Sequence, residues 1–249
     1  MDDGVKFLKR AMANPHLKAE PSIYRVCANL LFHARNLDDA IAVLKQGIMV
    51  PKIKELGQLI QMCAELTALQ GNLDEAIEML EKAIKENDSY HVYLLYHACS
   101  ELMEKAGRNE DAIALMKNGI ASPALTNKAV LYQACAKLLS NVQRTDEAIA
   151  LLKKAITAPG LTGRVILYQT CAKLMINVGR KEEAIQLLKK AIYGPKMGNL
   201  VSLYYLCSEL FIEYREEAIL LLKKGIAEYP KDSKLQAIYE KVEITGVVS

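Results

Sequence analysis

Residues 165–200 read VILYQTCAKLMINVGRKEEAIQLLKKAIYGPKMGNL, and this stretch decides the fold. Leu167, Cys171, Leu174 and Met175 recur at steps of three and four, the helical period. Gly179-Arg180 follow, and glycine readily takes the left-handed conformation that closes a helix. The pattern predicts a second helix from about Lys181 to Tyr193. Glu182 and Glu183 stand in its first turn and Lys189 and Lys190 in its last, as the helix dipole favours. Pro195 then stops it.

Working outward, the same unit recurs along the chain. Cys27, Cys63, Cys99, Cys135, Cys171 and Cys207 are spaced by 36 residues at every step. An acidic residue followed by Ala-Ile keeps the same step at Ala40, Ala76, Ala112, Ala148 and Ala184. Its sixth copy, Ala218, comes 34 residues later, so the last unit lacks two residues in its internal turn. A third ladder of small residues runs through Ala11, Gly47, Ala83, Gly119, Ala155, Ala191 and Gly225. Pro15, Pro51, Pro123 and Pro159 hold the place of Pro195 in other copies, and Asn87 replaces it once. Residues 129–164 and 165–200 are identical at 20 of 36 positions, which points to duplication. A helix pair of this size cannot bury its apolar stripe alone, so such units stack into arrays.

Composition agrees with a folded chain. Of 249 residues 51% are hydrophobic, and the net charge is +3 with both signs interspersed. That balance makes no electrostatic bid for nucleic acid or an anionic membrane. The start, Met-Asp-Asp-Gly-Val-Lys, lacks the order of a signal peptide, and apolar runs are far short of a membrane span. A cytoplasmic, reducing setting is expected, because six free thiols suit one.

The second-helix pattern Gly-Arg-x-Glu-Glu-Ala-Ile-x-x-Leu-x-x-Ala-Ile resembles the tetratricopeptide repeat. So does the aromatic residue three before the cysteine: Tyr24, Tyr96, Tyr132, Tyr168 and Tyr204, with Ile60 as the exception. Ala184 and Ala191 match the family's two packing alanines, and Leu188 its large apolar residue between them. The resemblance covers about residues 2–243 and implies an all-α, right-handed α-solenoid of antiparallel helix pairs with a 36-residue period. The family's unit is usually shorter, with Leu where this chain has Cys. The expected layout is one repeat domain over 1–249. It holds a half repeat at 2–20, repeats at 21–56, 57–92, 93–128, 129–164, 165–200 and 201–230, and a capping helix at 231–243.

The resemblance also implies a function, a protein–protein interaction scaffold that holds a peptide or helix of a partner in a concave groove lined by first helices. Residues two before, two after and six after each cysteine would form the exposed stripe. These are Arg25, Asn29, His33; Gln61, Glu65, Leu69; His97, Glu101, Lys105; Gln133, Lys137, Asn141; Gln169, Lys173, Asn177; and Tyr205, Glu209, Glu213. The triplet Gln-Lys-Asn occurs twice in succession, and amides with an ammonium suit a peptide backbone or a carboxylate. Glu65, Glu101 and Glu104 make the first half of the stripe acidic, while Tyr205 and Phe32 offer aromatic contact. Members of the family that clamp a terminal carboxylate need donors where this chain has Met62, Leu94 and Ala98, so that use is not expected.

Two other readings stand beside the groove. One is a structural or regulatory segment of a larger complex or multidomain protein. The other is the pentatricopeptide repeat, which shares the Gly-Arg-x-Glu-Glu-Ala turn and reads RNA bases. Its base-reading positions hold Val26, Met62, Ala98, Ala134, Thr170 and Leu206, of which only Thr170 can hydrogen-bond.

No enzyme, cofactor or metal is expected. His16, His33, His91 and His97 sit in no ligand or nucleophile pattern, and no Gly-rich phosphate loop is present. Equivalent cysteines of stacked helices should stand roughly 8–10 Å apart, beyond the ~7 Å reach of a disulfide. They are read as small packing residues. Residues 2–14 align with a second helix that lacks its first-helix partner. This predicts either a fragment of a larger protein or self-association through an uncapped N-terminal face.

Overall fold

The computed structural model describes residues 2–14, 16–51, 53, 55–86, 92–123, 125, 127–195, 197–210 and 214–244. Pro15, Asn87, His91 and Glu213, which carry sequence-based expectations, lie outside them. All regular structure among the described residues is helical. Two compact units divide the chain, residues 1–126 and 127–249.

The first unit holds α1 (Asp2–Ala13), α2 (Pro21–His33), α3 (Leu37–Ile48), α4 (Leu56–Leu69), α5 (Leu73–Glu86), α6 (Val92–Lys105) and α7 (Asn109–Ala121). Each helix packs on the next, and the first helices α2, α4 and α6 also touch in sequence. The second unit holds α8 (Lys128–Asn141), α9 (Thr145–Thr157), α10 (Arg164–Asn177), α11 (Lys181–Tyr193), α12 (Val201–Cys207), α13 (Arg215–Glu228) and α14 (Ser233–Ile244). It repeats the arrangement, with α8, α10 and α12 in sequential contact and α14 closing on α12 and α13. Consecutive packing of helix pairs is the stacking that the 36-residue period predicts.

The ladders become the cores. Ala40, Ala76, Ala112, Ala148, Ala184 and Ala218 are all fully buried, where each second helix packs on the first helices beside it. All six cysteines are buried and free. Desolvation by burial raises the thiol pKa, to about 12 at Cys99 and Cys207 and about 11 at Cys171. The turn within each of the first five pairs places one residue in the left-handed region: Arg35, Gly71, Gly107, Gln143 and Gly179. The second helices carry the expected polarity, with Asp38, Asp39, Glu75, Asp111, Glu147 and Glu183 in first turns.

The last repeat departs from the others. Its first helix is α-helical only over Val201–Cys207 and then tightens into the 3-10 turn Ser208–Leu210. The two-residue deletion coincides with a shortened α-helical first helix, and Glu209 lies in the 3-10 turn that follows it.

Candidate surface on the first helices

The stripe read from the sequence has a regular exposure. The position two before each cysteine is half-buried: Arg25, Gln61, His97, Gln133, Gln169 and Tyr205. The position two after is exposed: Asn29, Glu65, Glu101, Lys137, Lys173 and Glu209. Six after, His33, Leu69, Lys105, Asn141 and Asn177 are exposed as well. The first rung is partly covered by neighbouring helices while the outer rungs meet solvent.

In the first unit several stripe residues are paired, with one another or with neighbours on the same surface. Arg25 donates to Gln58 Oε1 at 2.6 Å and lies 3.7 Å from the Glu55 carboxylate. Gln61 donates to Glu65 at 2.9 Å, and His97 Nδ1 is 3.6 Å from Glu101.

The second unit is different. Gln133, Lys137 and Asn141 of α8 and Gln169, Lys173 and Asn177 of α10 line one hollow of about 370 Å³. Both copies of the triplet thus face the same space. Lys137 and Lys173 have no ion-pair partner among the described residues. Ser140, Thr170 and Leu174 join the lining, although the four-residue spacing of the stripe does not reach them. Thr170 is buried and its hydroxyl donates to the Ile166 carbonyl at 2.8 Å. The same oxygen accepts from Gln133 at 3.3 Å, which ties α10 to α8. The one polar group at the base-reading position is thus engaged within the fold.

Tyr205, expected as an aromatic contact, is committed to the capping helix. Its hydroxyl donates to the Asp232 carboxylate at 2.9 and 3.0 Å, and Lys234 Nζ lies 4.7 Å from the ring centroid. Phe32 is exposed and tilts against the His33 ring at 5.7 Å.

Among the described residues, no group of three or more His, Cys, Asp or Glu side chains is placed to hold a metal ion. No helix among them is long and apolar enough to cross a membrane.

Residues 64–90, from within α4 through α5, match the tetratricopeptide repeat family. No curated protein matches the chain. Among solved structures it is similar to a tetratricopeptide repeat protein from Parabacteroides merdae, with 15% identity, a TM-score of 0.45, and coverage of 96% of this chain and 91% of that one. It is also similar to YrrB, described as a TPR protein with an unusual peptide-binding site, with 18% identity, a TM-score of 0.41, and coverage of 75% and 91%. A TPR repeats protein from Bacteroides fragilis is 15% identical with a TM-score of 0.35, covering 90% of this chain and 98% of that one. The matched residues are one copy of a unit whose cysteine and Ala-Ile ladders recur through the chain, and whose helix pairs stack in both compact units. The chain is a helical-repeat protein, and one copy of its unit matches the tetratricopeptide repeat.

Proposed function

We propose that this protein is an interaction scaffold whose second unit holds an extended acidic segment of a partner across α8 and α10. The observation that carries this reading is the doubled Gln-Lys-Asn triplet lining one hollow, with Lys137 and Lys173 unengaged by carboxylates of the described residues. An ammonium without an ion-pair partner gains from a carboxylate, and side-chain amides suit the peptide groups between two such carboxylates. Neighbouring first helices set equivalent side chains roughly 8–10 Å apart. A chain in the extended polyproline II conformation advances about 3.1 Å per residue and returns to the same face every third residue, so acidic residues three apart in the partner span both lysines. Arg25, Asn29, Gln61, Glu65, His97 and Glu101 offer a mixed-charge surface in which Gln61 meets Glu65 and His97 meets Glu101, and they are not assigned to this contact.

The experiment is a fluorescence titration of the full chain with a labelled extended peptide carrying glutamates at positions i and i+3. Lys137→Glu/Lys173→Glu should weaken binding at least tenfold, and binding should fall with added salt. Equal binding by the wild type and the double variant would sink the proposal.

A further inference from the structure

Repeat six shows how this chain seats its own tyrosine. The buried Tyr204 ring lies on Gly225, where a methyl group would stand 2.7 Å from the ring's Cγ. Its hydroxyl donates to Glu228 Oε2 at 2.8 Å. Beside it, Lys224 Nζ sits 4.9 Å from the centroid of Tyr193. The site therefore has a small-residue floor, a carboxylate for the phenol and an aromatic neighbour under a lysine.

Repeat two keeps the frame with a methyl added at its floor, a pairing that repeats four and five also make in Tyr132 with Ala155 and Tyr168 with Ala191, and it lacks both rings. By the repeat register, Ala83 stands for Gly225, Glu86 for Glu228, Lys82 for Lys224 and Leu56 for Leu200. Ile60 replaces Tyr204, the single break in the tyrosine ladder, and Met49 replaces Tyr193. An open hollow of about 530 Å³ lies there within the first unit, lined by Ile48, Met49, Leu56, Ile60, Met79 and Ala83. Lys82 and Glu86 stand at its edge with no hydrogen-bond or ion-pair partner among the described residues. Met49 is 83% exposed. The volume falls in the ~300–1,000 Å³ range of ligand sites.

We propose that this hollow is a docking site for a tyrosyl side chain supplied by a partner protein. The ring restores the group that Ile60 lacks, against Ala83 and between the thioethers of Met49 and Met79, which favour aromatic contact. The phenol donates to Glu86 as Tyr204 does to Glu228. Tyrosine suits such a place because it joins a large apolar body to a polar tip, and it is enriched among residues that dominate interface energy. This site is separate from the α8–α10 surface, and either can fail without the other.

The test uses the full chain labelled with ¹³C at its methionine methyl groups, titrated with N-acetyl-tyrosinamide and followed by NMR. Saturable ring-current shifts are expected at Met49 and Met79, with the buried Met103, Met116 and Met175 unmoved. N-acetyl-phenylalaninamide should bind several-fold more weakly, and Glu86→Gln should narrow that preference. Ile60→Tyr, which supplies the ring from within, should abolish the Met79 shift. Should that variant not fold, Lys82→Trp at an exposed lining position should fill the hollow and abolish it instead. Shifts absent at millimolar ligand, spread evenly over all methionines, or retained in the folded blocking variant would overturn the proposal.

Discussion

Tyr24 lies across Gly47 with no space between them: a methyl group on Gly47 would stand 2.7 Å from the ring's Cγ and 2.8 Å from its Cδ1. The ring cannot swing away freely, because it is buried and its hydroxyl donates to the Lys18 carbonyl at 2.9 Å. Gly47→Ala is therefore expected to destabilise the protein. Forcing a methyl into a packed contact costs roughly 1–3 kcal/mol, and better helix propensity offsets up to ~1 kcal/mol of that. The check is a denaturation midpoint for Gly47→Ala alone and in a Tyr24→Ile background. Repeat two pairs Ala83 with Ile60, so the second background should remove most of the cost. An equal cost in both would show that the ring is not its source.

The turn between paired helices needs a left-handed residue, and two copies fill it with side chains. Arg35 has φ 59° and Gln143 φ 62°, whereas Gly71, Gly107 and Gly179 take 99°, 73° and 77°. A left-handed L-residue costs about 1–2 kcal/mol, and glycine's extra unfolded-state entropy takes back about 0.4–1 kcal/mol. Arg35→Gly and Gln143→Gly should each raise stability by roughly 0.5 kcal/mol on that balance. Gly107→Gln should lower it by a similar amount. Urea midpoints with unchanged slopes read this directly. A lower midpoint for both glycine variants would refute it.

Much of this was legible because each repeat copies the same local physics. Cys171 buried, Ala184 fully enclosed and α11 running from Lys181 to Tyr193 follow from periodicity, dipole placement and a stop at Pro195. The stripe was legible as a set of positions, since residues four apart share a helical face. Its pairing was not. Whether Gln61 turns to Glu65, or Lys137 finds no carboxylate, depends on side-chain reach across stacked helices. Tyr205 occupied the expected rung, yet its hydroxyl went to Asp232 in the following turn. Ile60 was visible as an exception in a ladder, but the hollow beside it emerges only when α3, α4 and α5 meet.

The cysteine ladder should be chemically silent in the native state. A thiol reacts as thiolate, and burial pushes Cys99 and Cys207 up to about 12 and Cys171 up to about 11. At pH 8 these three should resist an aromatic disulfide reagent until the chain unfolds. Labelling followed by peptide mapping, with and without urea, reads the outcome. Fast native labelling at Cys99 or Cys171 would contradict the packing role. Cys171→Ser should destabilise, because a hydroxyl in an apolar contact costs roughly 1–3 kcal/mol unless it is hydrogen-bonded.

Glu183 ties two repeats together at their surface. Its carboxylate accepts from Arg180 Nε at 2.6 Å, from Arg180 Nη2 at 2.9 Å and from Lys153 Nζ at 2.9 Å. Those hydrogen bonds, Arg180 first, hold its pKa down at about 2. The unfolded chain returns it to the ordinary glutamate value of about 4.3. A lowered native pKa means that the unfolded state binds the proton first, so this group stabilises the fold at neutral pH. That contribution fades as pH falls from about 4.3 toward 2 and is gone below both values. Glu183→Gln should therefore be less stable than the wild type at pH 7, and most of the difference should have closed by pH 2. Urea denaturation at steps across that window gives the comparison. Raised salt should shrink the neutral-pH difference, since these groups meet solvent and are screened. A difference that stays constant from pH 7 to pH 2 would show that the carboxylate's charge is not what stabilises the contact.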